Sequence, residues 1–267
     1  MEKEKLEEAS WKFNPLKKLD GEFLRHAFKE GAKWQQKQDK NKMKIWHISD
    51  THTYHDLLKI PDGIDMVIHS GDCSNPRDPY NNEPEVREFI HWFKSLPIKH
   101  KIYVAGNHDT SIEKKLVTKK DFEDYNIIYL ENEYVEIEGF KIFGSPHTPQ
   151  FGNWAFMKSR EKLERFWRSA IHEYADIVIT HGPPKGVLDK SYHKSGRMEA
   201  CGDRSLLNRM FELEPKLCLF GHIHNCEDIV NAGTLKFSNY ETIFSNGSVV
   251  TDGKFGKLTS NGNIFEL

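Results

Sequence analysis

The residues of this chain best suited to chemistry are Asp50, His52, Asp72, Asn107, His108, Asp109, His181, His222 and His224. They offer carboxylate, imidazole and amide groups, and no cysteine is among them. Such oxygen and nitrogen donors suit Mn, Fe, Zn, Co or Ni in a five- or six-coordinate site. They do not suit a closed thiolate zinc site. Asp50 and His52 stand two apart, as do His222 and His224. In an extended segment, side chains at i and i+2 face the same side, so each pair can enter one cleft. The set is large enough for two cations, and one carboxylate, with its two oxygens, can bridge them. Two ions about 3.5–4 Å apart can clamp a phosphoryl group and activate a shared water.

The elements that must position these residues recur along the chain. Short apolar runs end in Gly, Ser or Thr and then in His, Asp or Asn: "MKIWHISDTH", "MVIHSGD", "IYVAGNHD", "DIVITHG" and "LCLFGHIH". Runs this rich in Val, Ile, Leu and aromatics predict buried strands. Polar residues at the carboxyl ends of strands are where α/β proteins build their sites. Helical spacing of apolar residues appears over Pro84 to Leu96, Ser159 to Tyr174 and Asp203 to Leu213. Further strands are expected at Tyr134 to Ile137, Lys141 to Phe143, Thr234 to Phe237 and Thr242 to Phe244. The pattern predicts an α/β fold, two sheets flanked by helices, and leaves strand order open.

Residues 1–42 differ from the rest. An amphipathic helix carrying Phe23, Leu24, Ala27, Phe28, Ala32 and Trp34 is followed by a polar linker from Gln35 to Lys42. The helix reads as a packed extension of the main domain (43–267) or as a homo-oligomerisation element. The chain of 267 residues is 37% hydrophobic and 29% charged, enough to build a sizeable core. Its net charge of -2 gives no strong nucleic-acid signal and makes a small anionic partner more natural than a polyanion. No CxxC pair, signal peptide or membrane-length apolar run is present. The expected setting is cytoplasmic.

Singly, the motifs are weak: a strand-end "DTH" is common, and "GHIH" is only moderately specific. All five pieces in one order, each at a strand end, are specific. The set Asp50-x-His52, Gly71-Asp72, Gly106-Asn107-His108-Asp109, His181 and Gly221-His222-x-His224 resembles the calcineurin-like metallophosphoesterase family over about Lys44 to Asn246. "GSPHTPQFGNWAF", "ITHGPPKGVLD" and "FGHIHN" are similar to the single-domain brain-type metallophosphoesterase-domain-containing subfamily and to bacterial cyclic-nucleotide phosphodiesterase relatives.

The resemblance implies a two-sheet β-sandwich flanked by helices and two divalent metal ions, manganese first among them. It implies that Asp50, His52 and His224 hold one ion, that Asn107, His181 and His222 hold the other, and that Asp72 bridges them. His108 would face the substrate and protonate the leaving oxygen, with Asp109 on the other nitrogen of its imidazole. The implied reaction is hydrolysis of small phosphodiesters, cyclic nucleotides included, by a metal-activated hydroxide. The alternatives are a phosphomonoesterase, a phosphoprotein phosphatase or a non-catalytic metal- and nucleotide-binding regulatory module. Protein phosphatases of the superfamily resemble the chain less, because they carry "GDxVDRG" and "GNHE" where this chain has "GDCSNPRD" and "GNHD". His147 departs from the aromatic often found at its position. It is a candidate substrate contact or an ordinary loop histidine. Asn75 and Arg77 are candidate phosphate contacts or parts of a Pro-bracketed surface loop. Trp154 and Phe156 wall the pocket or pack in the core. Cys73 and His69 read as core residues.

Overall fold

The apolar runs become the central strands of two sheets in a computed structural model that describes residues 42–193, 195–226, 228–251 and 256–267. The helix and oligomerisation role expected within residues 1–42 lie outside the described residues. The described residues open with β1 (Lys44–Ile48), β2 (Met66–His69), α1 (Pro79–Ser95), β3 (His100–Tyr103), α2 (Thr110–Glu113), α3 (Lys119–Glu123) and β4 (Ile128–Tyr129). They continue through β5 (Glu133–Ile137), β6 (Phe140–Ser145), β7 (Thr148–Pro149), β8 (Met157–Lys158), α4 (Arg160–Ala170) and β9 (Ile177–Thr180). They end with β10 (Lys190–Tyr192), β11 (Met198–Ala200), α5 (Arg204–Leu213), β12 (Leu217–Phe220), β13 (Gly233–Lys236), β14 (Ile243–Asn246) and β15 (Asn263–Glu266).

One sheet has the order β15-β1-β2-β3-β4 and the other β13-β14-β12-β9-β6-β5. The inner strands run parallel: β1 with β2, β2 with β3, β6 with β9, and β9 with β12. Parallel strands buried on both faces need continuous apolar runs, as the sequence has. In β1, Ile45 packs between the sheets with Met66, Ile102, Ile177 and Leu217. Its neighbours Trp46 and Ile48 pack outward with Phe89 and Phe93 of α1. In the second sheet, Ile179 and Leu219 point inward, while Val178 and Phe220 meet Leu163 and Trp167 of α4 and Met210 of α5. The layers are therefore helix, sheet, sheet, helix, as expected from sequence. Each fully buried side chain of this kind contributes about 1.5–3 kcal/mol. That core is what holds the polar strand ends in place.

Two local expectations shift. Helix α1 starts at Pro79, before the expected Pro84, because Asp78 caps it: its carboxylate accepts from the Asn81 amide at 3.1 Å. Pro79 at the first helical position loses nothing by lacking an N–H. The Pro-bracketed loop is thus half helix. Strand β15, not expected at all, pairs antiparallel with β1. The two sheets are stitched at the carboxyl end of β1, where the Ser49 amide donates to the Gly247 carbonyl at 2.8 Å and the Val249 amide to the Ser49 carbonyl at 3.1 Å.

Candidate metal centre

The carboxyl ends of β1, β2, β3, β9 and β12 converge there, and every metal-site candidate sits on one of them. Asp50, His52 and His224 form one cluster whose ligand atoms lie within 4.8 Å of one another, and Asp72, His181 and His222 form a second. Asn107 joins the second: its Oδ1 is 3.0 Å from His181 Nε2. Asp72 lies between them. Its Oδ2 is 3.2 Å from His181 Nε2 and 4.0 Å from His52 Nε2.

The paired residues reach one site by a route other than the expected one. Asp50 and His52 are not extended; their φ angles are 52° and 42°. Asp72 and His222 are also left-handed, at 58° and 69°. Non-glycine residues avoid this region, at a cost of roughly 1–3 kcal/mol each, and cluster in it at functional sites. The glycines beside them serve a different need, close approach. A Cβ on Gly106 would lie 2.2 Å from Asp72 Oδ1, and one on Gly221 would lie 2.1 Å from Asp50 Oδ2.

Hydrogen bonds aim the imidazoles. His52 Nδ1 donates to the Ser74 carbonyl at 2.9 Å, and His181 Nδ1 to the Ser70 carbonyl at 2.8 Å. Each carbonyl fixes a tautomer and turns Nε2 toward the cluster, as outer partners of metal-bound histidines do. Asp50 accepts from the His222 amide at 2.9 Å and from Ser248 Oγ at 2.7 Å.

The electrostatics suit cations. Burial alone would raise both carboxyls, but neighbouring imidazoles, His224 for Asp50 and His181 for Asp72, hold them well below the usual range. Burial lowers His52 to about 4 and His222 to about 3, leaving neutral nitrogens with lone pairs. Burial would lower His181 too, yet Asp72 outweighs it and lifts the group to about 9. At His181 an imidazole nitrogen, an amide oxygen and a carboxylate oxygen meet with one donor at most. Only a proton or a cation holds such a set together. The residues present therefore fit a divalent metal pair.

His108 stands at the mouth. Its ring is 4.9 Å from that of His52 and 4.2 Å from Trp154, tilted 33° to the indole. Its amide donates to Asp72 Oδ1 at 2.7 Å. Its Nδ1 donates to the Asn75 carbonyl at 3.0 Å. This corrects the expectation for Asp109, whose carboxylate is turned inward. It accepts from Tyr103 Oη and the Gly106 amide at 2.6 Å, and from the Asp72 amide and Ser74 Oγ at 2.9 Å. Asp109 thus ties the loops after β2 and β3 together instead of orienting His108.

A cleft of about 660 Å³ opens over the centre, lined by Asp72, His108, Phe151, Trp154, Arg160 and Lys185 among others. Its size suits a small ligand. His108 lines it, but Asn75, Arg77 and His147, the other expected substrate contacts, do not. His147 is buried, donates Nδ1 to the Phe156 carbonyl at 2.8 Å and is lowered by burial to about 4. Arg77 donates to the Asn153 carbonyl and lies 5.2 Å from the Trp154 ring, so it supports the wall. Asn75 holds His108 by its carbonyl and donates its side chain to the His52 carbonyl at 3.1 Å. Phe156 packs in the core, and Trp154 walls the cleft. Cys73 and His69 are core residues: the thiol donates to Asp109 at 3.3 Å, and His69 Nε2 pairs with Thr51 Oγ1 at 3.0 Å. Sequence reasoning missed Phe151, Arg160 and Lys185. Phe151 was legible only as one of two aromatics bracketing Gly152 in the quoted "GSPHTPQFGNWAF" segment.

A model of the calcineurin-like phosphoesterases matches residues 43–226. The chain belongs to this family. Members use a binuclear divalent metal centre, in keeping with the two candidate clusters. The chain is 36% identical over 216 residues to the human metallophosphoesterase domain-containing protein 1, covering 72% of this chain and 64% of that protein. The chain thus spans somewhat less than two thirds of that curated relative. A UPF0046 protein of Caenorhabditis elegans is 34% identical over 218 residues, covering 74% of this chain and 75% of its own length. The crystal structure of a phosphopantetheinyl hydrolase from Mycobacterium tuberculosis shares the fold, with a TM-score of 0.53 at 14% identity over 78% of this chain and 90% of that one. Among the described residues, no helix is long and apolar enough to cross a membrane.

Proposed function

We propose that this calcineurin-like phosphoesterase hydrolyses small phosphodiesters, cyclic nucleotides among them, with two divalent cations. The observation that carries the reading is Asp72, whose Oδ2 lies within 4.0 Å of imidazoles from both clusters. Asp50, His52 and His224 would hold one ion, Asn107, His181 and His222 the other, and Asp72 both. Oxygen and imidazole donors without thiolate favour manganese, with Fe, Zn, Co or Ni as substitutes. When bound, such a pair polarises a phosphoryl group and acidifies water.

The chain's own residues do the rest. His108 is held by the Asn75 carbonyl at Nδ1, which leaves Nε2 as the proton carrier toward the leaving oxygen. Trp154 packs against the ring, tilted to it, and restricts its rotation. Arg160 and Lys185 place positive charge along the cleft, suited to an anionic substrate. The limited cleft and the near-zero net charge favour a small diester over a polyanion or a protein surface. Cys73 and Cys218 are buried thiols in no disulfide, which suits a reducing compartment, and we place the protein in the cytoplasm.

The test is a panel of 2′,3′- and 3′,5′-cyclic nucleotides, an aryl diester and the matching monoesters, assayed with manganese. Diesters should be preferred. His108→Ala should lower kcat by roughly 10²–10⁴-fold while both metals stay bound. Silence with every divalent metal tried, or a clear preference for monoesters, would overturn the substrate reading. Metal loss in His108→Ala would make that residue a ligand.

A further inference from the structure

His55 opens the short 3-10 turn His55–Leu57 that follows the candidate centre. Its side chain is 1% exposed and lies edge-on to Phe89 at 5.5 Å and 5.0 Å from Trp92, both on α1. Neither Nδ1 nor Nε2 has a hydrogen-bond partner. An imidazole carries at least one N–H and, when neutral, one lone pair. Leaving such a group unmatched in a buried setting costs about 1–3 kcal/mol, and native exceptions point to a bound water or ion.

Two carboxylates frame the gap. His55 Nε2 is 4.0 Å from Asp56 Oδ1, and one ligand atom from each of His55, Asp56 and Glu88 lies within 4.8 Å of the others. Asp56 and Glu88 are exposed. Among the described residues, neither carboxylate accepts a hydrogen bond or pairs with a lysine or arginine. Burial holds His55 below its ordinary range despite these two negative neighbours, so the ring stays neutral and keeps a lone pair. The cluster shares no residue with the candidate metal centre.

We propose that His55, Asp56 and Glu88 form a separate cation site that takes one zinc ion and pins the turn after His52 to α1. One imidazole and two carboxylates are a borderline donor set that suits zinc, with water completing a tetrahedron. Zn–N and Zn–O bonds of about 2.0–2.2 Å need ligand atoms slightly closer than they stand now. The two carboxylates are exposed and free to rotate inward. The ion would take the lone pair of one ring nitrogen and neutralise the carboxylates. Its role is structural: it braces the turn three residues beyond His52.

The test is zinc per full-length chain after dialysis against zinc, counted by mass spectrometry, for wild type, His55→Phe and Glu88→Gln. Phenylalanine fits the aromatic surround and has no polar atom to satisfy. Wild type should hold one zinc per chain more than His55→Phe, and Glu88→Gln should bind that ion at least tenfold more weakly. Phosphoester hydrolysis by His55→Phe should stay near wild type. The same one-ion difference should appear between Asp72→Ala and Asp72→Ala/His55→Phe, which separates this site from whatever the cleft holds. Equal zinc counts in wild type and His55→Phe would overturn the proposal. So would unchanged affinity in Glu88→Gln, which also covers the case in which His55→Phe does not fold.

Discussion

The loops after β2 and β3 each bury a carboxylate, Asp72 and Asp109, joined by the Asp72 amide that donates to Asp109 Oδ2 at 2.9 Å. Both are almost wholly inaccessible. Their surroundings differ. Asp109 takes hydrogen bonds from Tyr103, Gly106, Asp72, Cys73 and Ser74, which together fill its lone pairs. Asp72 takes one backbone hydrogen bond at Oδ1 and presents Oδ2 to imidazoles alone. Burial, with the charge of Asp72 added, raises Asp109, whereas the imidazoles hold Asp72 low against the same burial. Burial therefore does not tell a ligand from a strut. What separates them is whether the protein has left an oxygen unclaimed.

The largest expected effect tests the unclaimed oxygen. Asp72→Asn keeps the shape but removes the charge between the clusters. It should lose at least one metal per chain and more than about a hundredfold in kcat/KM, beyond the range of residues that only orient ligands. Elemental analysis showing both metals retained would break the comparison on the Asp72 side. Next comes the strut. Asp109→Ala strands the Gly106 and Asp72 amides and should cost at least about 2 kcal/mol in urea unfolding, since each such buried group costs about 1–3. The folded fraction should keep its metals; normal stability with lost metals would make Asp109 a ligand after all. The smallest effect sharpens the contrast. Tyr103→Phe deletes one of the Asp109 donors and should cost about 1.5–3 kcal/mol with turnover changed only a few-fold. A turnover loss as large as that of Asp72→Asn would mean the two carboxylates are not separable.

Much of this was legible in the sequence because two signals coincided. Apolar runs marked the strands, and the metal-ligand types sat just after them. The clusters around Asp50 and His181 therefore appear where the runs predict. Less legible was anything decided by direction rather than position. Asp109 follows His108 in sequence but faces the opposite way, because backbone amides and Tyr103 capture it first. His147, Asn75 and Arg77 lie near the site in sequence, but each hydrogen-bonds a backbone carbonyl that turns it from the cleft or makes it a support. Ser248 reaches Asp50 from 198 residues away, a contact that no local pattern announces. Helix α1 hid its first turn behind prolines that its capping aspartate makes harmless.

The left-handed backbone at Asp50, His52, Asp72 and His222 has one more consequence. Glycine is the residue that foldability alone would choose at these angles. A design procedure that rewarded only a stable chain would therefore erase the carboxylates and imidazoles first, and would produce a better-behaved sandwich with nothing at its rim. In this molecule, left-handed backbone after β1, β2 and β12 coincides with four candidate metal ligands.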